Sequence, residues 1–510
     1  MNRIDNMIQN LNQRISKKFK VAFVAAFVMG IIAHVYMFTN KLPNYDDLRT
    51  LDGFGATFKL GRWFLWFMGA IAWHLDFVFS LPWMNGLITL LFVALSAGFM
   101  AELLKIKSNI GNVLLGAALI VFPNWTSSFF FMFTVPYYAV AVFMMVLGVY
   151  LCVNYKWGGI CSIVLMACSM GIYQAYLPFA ATLYVVLLLM RLFDEEEVVQ
   201  VIKSAVYWFI NIIFGVVLYF IITKLSLLIT GQELTQTKGI DTMGQFDVAR
   251  FSEIMRMIFR NITGVFCGND LEISYNYVTK LMYLLLFLCS IYGIIRLLIR
   301  EFKKKEYLKC AVVFILLFAF EVAINGIYIM CAEGIYSLMY YSYVFLMLLP
   351  LCMLEHSAKW EPNKLSCCME FMTAFGLMIG IAGYCHFANA EYLSMELSYE
   401  QAKSYCTTLI TQIKNVEGYS DELPIAFVGH DIGDKTLYEN DVMDVFLFSG
   451  RDVTLVEAYS REYLLRYYCG FDPEYVSKDT IDADKIARMP LYPDAGAIQV
   501  IDGVVVIRLE

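Results

Sequence analysis

Residues 205–230 read Ala205-Val-Tyr-Trp-Phe-Ile-Asn-Ile-Ile-Phe-Gly-Val-Val-Leu-Tyr-Phe-Ile-Ile-Thr-Lys-Leu-Ser-Leu-Leu-Ile-Thr230, and Lys224 is the one charge among them. A helix needs about 20 mainly apolar residues to cross the hydrocarbon core of a bilayer, and this run exceeds that length. Similar runs lie on either side, at 20–38, 83–104, 110–122, 137–153, 158–172, 177–193, 277–298, 308–328, 336–354 and 366–386. Together they predict a mainly α, polytopic membrane protein of about eleven spans. Composition agrees: of 510 residues, 60% are hydrophobic and 16% charged, against about 45–50% and about 25% in soluble domains. A cytosolic enzyme and a disordered scaffold are excluded. The net charge of −7 offers no basic face to nucleic acid. The first run has no small-residue cleavage site, so it reads as a span and not a signal peptide.

The apolar runs stop near residue 387. Residues 388–510 carry 22 Asp+Glu and 10 Lys+Arg, whereas residues 1–387 carry 23 and 28. We therefore expect a transmembrane domain over 1–387 and a small acidic α/β domain over 388–510. The latter is read as helical from Ser398 to Asn415, with strands at Ile425–Val428 and over Ile498–Leu509, the second turning at Asp502-Gly503. With the N-terminus cytoplasmic, the inner segments hold 18 Lys and Arg, Arg3 and Lys303 to Lys305 among them, and the outer loops hold 8, Lys238 among them. That bias obeys the positive-inside rule. An odd span count then puts 388–510 outside the cytoplasm. Residues 62–80 contain His74 and Asp76 and would invert this order if they spanned. They are read as an interfacial helix with Trp63, Trp66 and Trp73 at headgroup depth. Of the 13 cysteines only Cys267, Cys406 and Cys469 fall in outer regions, and no C-x-x-C pair occurs. Neither a metal site nor a disulfide framework is expected.

The first outer loop holds the candidate chemistry. Asp46 and Asp47 are adjacent, with Arg49, Lys59 and Arg62 following. Two neighbouring acids repel, which can raise one pKa and make a general base. Nearby cations suit a phosphate leaving group. The plainer alternative is a solvated acidic loop with Arg62 snorkelling to the interface.

The run Tyr45-Asp-Asp-x-Arg49, Gly53-Phe54 and Gly61-Arg62-Trp63 resembles the signature of the GtrII-type membrane glucosyltransferases. Further segments are similar to that family: Phe122-Pro123 with Phe131-Met-Phe-Thr134, Gly171-Ile-Tyr-Gln-Ala-Tyr-Leu177, Ala388-Asn-Ala-Glu-Tyr392, Pro490-Leu-Tyr-Pro-Asp-Ala-Gly496 and Asp502-Gly-Val-Val-Val506. Thr134 departs from the pattern, where an Asp is expected. The resemblance implies a GT-C-like glycosyltransferase in a bacterial plasma membrane. Such an enzyme takes a sugar, glucose by the family name, from a polyprenyl-phosphate carrier on the outer face and passes it to a lipid-linked or cell-surface glycan. The catalytic acid then maps to Asp46 and Asp47, and Tyr45 counts among the substrate-binding residues.

A phosphate ester leaves without protonation but needs positive charge at its oxygens. Arg49 and Arg62 are the first candidates to supply it, with Lys59 in the same loop. Asp46 is the expected base for the acceptor hydroxyl. Asp47 either orients it or holds a divalent cation, Mg or Mn, and no other cofactor is implied. One acid cluster with no second nucleophile points to inversion. In the loop 231–276, Phe251, Ile254, Met255, Ile258, Phe259 and Ile262 line one face of a helix that carries Arg256 and Arg260. These two arginines are a second cation source, or anchors at the lipid interface. Glu321 is read as a mid-span acid that contacts substrate, or as a neutral acid bonded to Asn325. Tyr173, Gln174 and Tyr176 either line a sugar site or belong to the aromatic belt. The main rival function is a transporter or flippase of lipid-linked glycans, against which no repeated halves are found. A non-catalytic assembly factor is the third.

Overall fold

The protein is described from a computed structural model covering residues 5, 13–235, 248–267, 272–330, 335, 337–361, 364–429 and 455–509. Arg3 and Lys238, counted above for topology, lie outside them. The chain forms two compact units, Met1–Thr39 with Gly53–Ala388, and Asn40–Asp52 with Asn389–Glu510. The second unit therefore takes in residues 40–52 as well as the tail. Leu48 is the physical reason. It is fully buried in the apolar core formed by Ala402, Leu409, Leu464 and Val505.

Among the described residues, eight helices are long and apolar enough to cross a membrane: Lys17–Thr39, Pro82–Leu103, Val135–Asn154, Gln174–Phe193, Val198–Thr230, Tyr277–Lys303, Tyr307–Ile324 and Lys364–Lys414. Asn109–Val121 and Pro123–Phe129, bent by 40°, would make a ninth if they form one broken span. By length and hydropathy, eight or nine of the eleven expected runs therefore qualify as spanning helices among the described residues. The runs at 158–172 and 336–354 form helices of only 13 residues each, Gly158–Met170 and Phe345–Ser357, about 20 Å of rise. The helix expected to start at Ser398 is not separate. It continues the helix Lys364–Lys414, which runs for 51 residues.

The bend at Phe122-Pro123 follows from proline chemistry. Pro123 has no N–H and its ring crowds the carbonyl four residues back, that of Leu119. The Tyr341 hydroxyl donates to this Leu119 oxygen at 2.9 Å, and His34 Nε2 lies 3.1 Å from the Ile120 oxygen. Both buried carbonyls near the bend thus find side-chain partners. Close packing at the first helix follows from small residues. Ala22, Ala26, Gly30 and Ala33 are buried along one face. A Cβ on Gly116 would meet the Ala22 carbonyl oxygen at 2.3 Å, so only glycine allows this approach. In Val198–Thr230 the side chains of Phe209, Phe214, Ile221, Leu225 and Leu228 are exposed. Apolar surface on that scale suits hydrocarbon, not water.

At one end of the first unit, the turn after Phe193 gathers ion pairs. Asp194 meets His356 Nδ1 and Lys359 Nζ, both at 3.0 Å, and Glu195 pairs with Arg300 and Lys304.

The second unit holds a three-stranded sheet made of β1 (Ile425–Val428), β2 (Ile498–Ile501) and β3 (Val504–Arg508), in the order β1-β3-β2. β1 runs parallel to β3, and β2 runs antiparallel to β3. Asp502 and Gly503 have φ of 51° and 80°, as a two-residue hairpin of the primed type demands. The hairpin expected from Asp-Gly is therefore present.

Candidate functional site

The acidic pair sits on a one-turn helix, Tyr45–Arg49, in the second unit. Asn44 starts it: its Oδ1 accepts from the backbone N–H groups of Asp46 and Asp47, both at 2.8 Å. Asparagine is among the best residues for that capping role. Neighbouring helical residues point about 100° apart, and the two acids part accordingly. Asp47 is fully buried, whereas Asp46 is half-buried. Burial pushes the Lys41 ammonium below its ordinary value, partly offset by the charge of Asp47.

Asp46 faces Tyr459, whose hydroxyl donates to Asp46 Oδ1 at 2.9 Å. The Arg49 guanidinium lies 4.7 Å from the centre of the same ring, within electrostatic reach of the Tyr459 and Tyr463 hydroxyls. Burial and the Asp46 charge push the Tyr459 phenol up, so it stays protonated and a donor. Tyr45 packs edge-on against Tyr459 at 6.3 Å. An acid, a cation and an aromatic pair are thus held together in one unit. Sequence reasoning missed Tyr459 and Tyr463. Tyr459 lies 413 residues from Asp46, and no local spacing signals such a pairing.

The other first-loop cations belong to the first unit. Gly61 has φ of +69°, and a Cβ there would sit 2.4 Å from the Tyr219 hydroxyl. This backbone turn therefore requires glycine. Gln174 Nε2 clamps the turn, donating to the Leu60 carbonyl at 2.6 Å and to the Tyr219 hydroxyl at 2.8 Å. The backbone N–H groups of Phe64 and Leu65 both donate to the Gly171 carbonyl, at 2.9 and 3.0 Å. The Gly61-Arg62-Trp63 and Gly171-Ile-Tyr-Gln segments, 110 residues apart in sequence, thus interlock. This lock holds Arg62 with its guanidinium 4.9 Å from the Tyr173 ring centre and 3.4 Å from the Tyr138 hydroxyl. Tyr173 stacks on Tyr138 at 4.8 Å, and Tyr176 is fully buried beside them. Arg62 Nε is buried without a hydrogen-bond partner. Lys59 is exposed. Trp63–His74 is a 12-residue helix, within the stretch expected to be helical and too short to cross a bilayer.

The remaining candidates gather elsewhere in the first unit. Arg256 and Arg260 are exposed on the helix Val248–Cys267. Arg260 lies within electrostatic reach of the Tyr328 phenol, and Glu321 within reach of that of Tyr343. Asn261 Nδ2 and the Tyr343 hydroxyl both donate to Asn325 Oδ1, at 3.1 and 2.5 Å. Glu321 is corrected on two points. It lies in the last turn of Tyr307–Ile324, not mid-span. Asn325 Nδ2 donates to its backbone carbonyl at 3.0 Å, so the expected bond to its carboxyl is replaced by a helix-ending one. Thr134 is buried at the start of Val135–Asn154. No group of three or more metal-ligating side chains occurs among the described residues.

The class is thereby defined: a multi-pass membrane protein, with acids and cations concentrated just after its first long helix. The model of the glucosyl transferase GtrII family matches residues 35–351, and the chain belongs to that family. The family name indicates a glucosyltransferase. The match takes in the Asp46-Asp47 helix and both interlocked segments, and ends before Ala388–Tyr392 and the closing segments named above. No curated protein and no solved structure matches the chain.

Proposed function

We propose that this glucosyltransferase takes glucose from a polyprenyl-phosphate donor at the outer face of a bacterial plasma membrane and passes it to a surface or lipid-linked glycan. One observation carries the reading: Tyr459 holds Asp46 by its hydroxyl and Arg49 by its ring. Asp46, half-buried and oriented, takes the proton from the acceptor hydroxyl. That oxygen attacks the anomeric carbon as the bond to the phosphate oxygen breaks, and polyprenyl phosphate leaves. One displacement inverts the anomeric centre. Arg49, in the same unit as Asp46, supplies positive charge for the phosphate, and Arg62 is a separate donor-binding candidate in the first unit. Buried Asp47 sets the position of the one-turn helix. Arg260, Glu321 and the Asn325–Tyr343 cluster serve recognition of substrate. The unit built from 40–52 and 389–510 lies outside the cytoplasm in this reading.

The test uses purified full-length protein in lipid nanodiscs with polyprenyl-phosphate glucose and a glycan acceptor. The wild type transfers glucose, and Asp46→Asn binds donor but transfers it roughly 10²–10⁴-fold more slowly. Movement of a lipid-linked glycan across the bilayer without new glycosidic bonds would favour the flippase reading instead.

A further inference from the structure

The second unit brings together two cysteines that are 63 residues apart in sequence. Cys406 lies on the buried stripe Ala402, Cys406, Leu409 and Ile413, whose spacing of three and four keeps it on one helix face. Cys469 is the last residue of the helix Arg461–Cys469, and Gly470, with φ of +65°, ends that helix and fixes the position. The two helices share the core that contains Leu464 and Leu465; within it Cys406 is fully buried, Cys469 packs against the same cluster, and the two thiols lie close enough to perturb each other's ionisation. Thiols in such contact are the precondition of a cross-link, since bridged Cys residues must approach closely at Cβ.

We propose that Cys406 and Cys469 form a disulfide that staples the helix Arg461–Cys469 to the core of the second unit. The stapled helix packs against Tyr45–Arg49 and follows Tyr459 directly. The cross-link therefore fixes the segment that holds Asp46. Cys469 is the half-exposed member and Cys406 the buried one, which sets the order of events. The neighbouring Cys406 thiol pulls the Cys469 thiol below its ordinary value, which favours its thiolate and makes it the attacking group. This thiolate attacks a sulfur of a disulfide oxidant, a thiol oxidoreductase or glutathione disulfide, and one oxidant thiolate leaves. Cys406 then loses its proton and attacks the Cys469 sulfur, releasing the second oxidant thiolate. Two electrons pass to the oxidant, and its two thiolates take up the two protons.

The experiment needs no assay of sugar transfer, so its outcome is independent of the proposed reaction. Membranes holding the wild-type protein are quenched in acid and alkylated under denaturing conditions. They are then digested without reductant and analysed by mass spectrometry. The expected result is a linked pair of peptides carrying Cys406 and Cys469, two hydrogens lighter than the sum of the free peptides. Cys161, Cys367 and Cys368, all exposed, carry the alkyl group and serve as internal controls. Reduction before alkylation should release the pair and label both residues. Reductant should also lower the Tm of the wild type by roughly 5 °C and leave that of Cys469→Ser unchanged. Recovery of both residues singly alkylated, from cells and again after incubation of the purified protein with oxidised glutathione, would overturn the proposal. So would a glutathione adduct on Cys469 beside a free Cys406.

Discussion

The Tyr459 hydroxyl donates a 2.9 Å hydrogen bond to Asp46 Oδ1. The two residues come from opposite ends of the chain, and the bond orients the carboxylate proposed as the base. Loss of the base should cost far more than loss of its orienting partner. Asp46→Asn is expected to lower kcat by roughly 10²–10⁴ with donor KM little changed. Tyr459→Phe removes one hydrogen bond to a charged group, about 1.5–3 kcal/mol, and should lower kcat by roughly ten- to a hundredfold. Steady-state kinetics in nanodiscs measure both, and full activity in Asp46→Asn would remove Asp46 from the mechanism.

Asp47 should separate from Asp46 by its readout. It is fully buried, so Asp47→Ala leaves a cavity and takes the partner charge from Lys41. A loss of about 1–3 kcal/mol is expected, seen as a lower Tm for Asp47→Ala while Asp46→Asn keeps the wild-type value.

Gly61→Ala should disturb the fold before it disturbs chemistry. The added methyl meets the Tyr219 hydroxyl at 2.4 Å, at a φ of +69°. The expected cost is roughly 1–3 kcal/mol, with Arg62 displaced from Tyr173. Relief of the contact by Tyr219→Phe in the same protein should recover part of the Tm, and no recovery would argue against the clash.

Arg62 is held over Tyr173 by its planar head, a contact worth about 0.5–2 kcal/mol, and lysine does not reproduce that fork. Arg62→Lys is therefore expected to raise donor KM by roughly three- to tenfold, and Arg62→Ala by more. Equal KM values for the wild type and both variants would detach Arg62 from donor binding.

The pH dependence of stability should report Asp194. Burial alone would push its carboxyl up, but the His356 and Lys359 partners outweigh burial and hold it below the usual carboxylate range. A depressed folded value stabilises the fold above the unfolded pKa, and that stability is lost as pH falls through the folded value. Asp194→Asn should thus lower the Tm at pH 7. The gap to wild type should narrow once the pH drops below about 4. A gap that persists at low pH would mean that the pairing with His356 and Lys359 is not its source.

Hydropathy placed helices at every expected span, because burial in hydrocarbon is written locally in about 20 consecutive residues. It did not show where a run is interrupted: Pro123 bends one helix by 40°, and only 13 residues are helical in Gly158–Met170. The Asp502-Gly503 hairpin was legible for the same local reason, since its turn needs positive φ at both residues. Motif spacing located Asp46, Arg49 and Arg62 but treated them as one loop. The structure assigns Asp46 and Arg49 to one compact unit and Arg62 to the other.

The sequence by itself determined a membrane body, an acidic tail with a β-hairpin, and the motif block that marks the family. Only the tertiary structure decided that Leu48 carries residues 40–52 into the second unit, that Tyr459 meets Asp46, that Gly171 receives the Phe64 and Leu65 amides, and that Cys406 meets Cys469. The reason is physical. Helix length, turn type and hydropathy depend on neighbours a few residues away, whereas these contacts join residues tens to hundreds apart. They exist only because close packing brings those residues together.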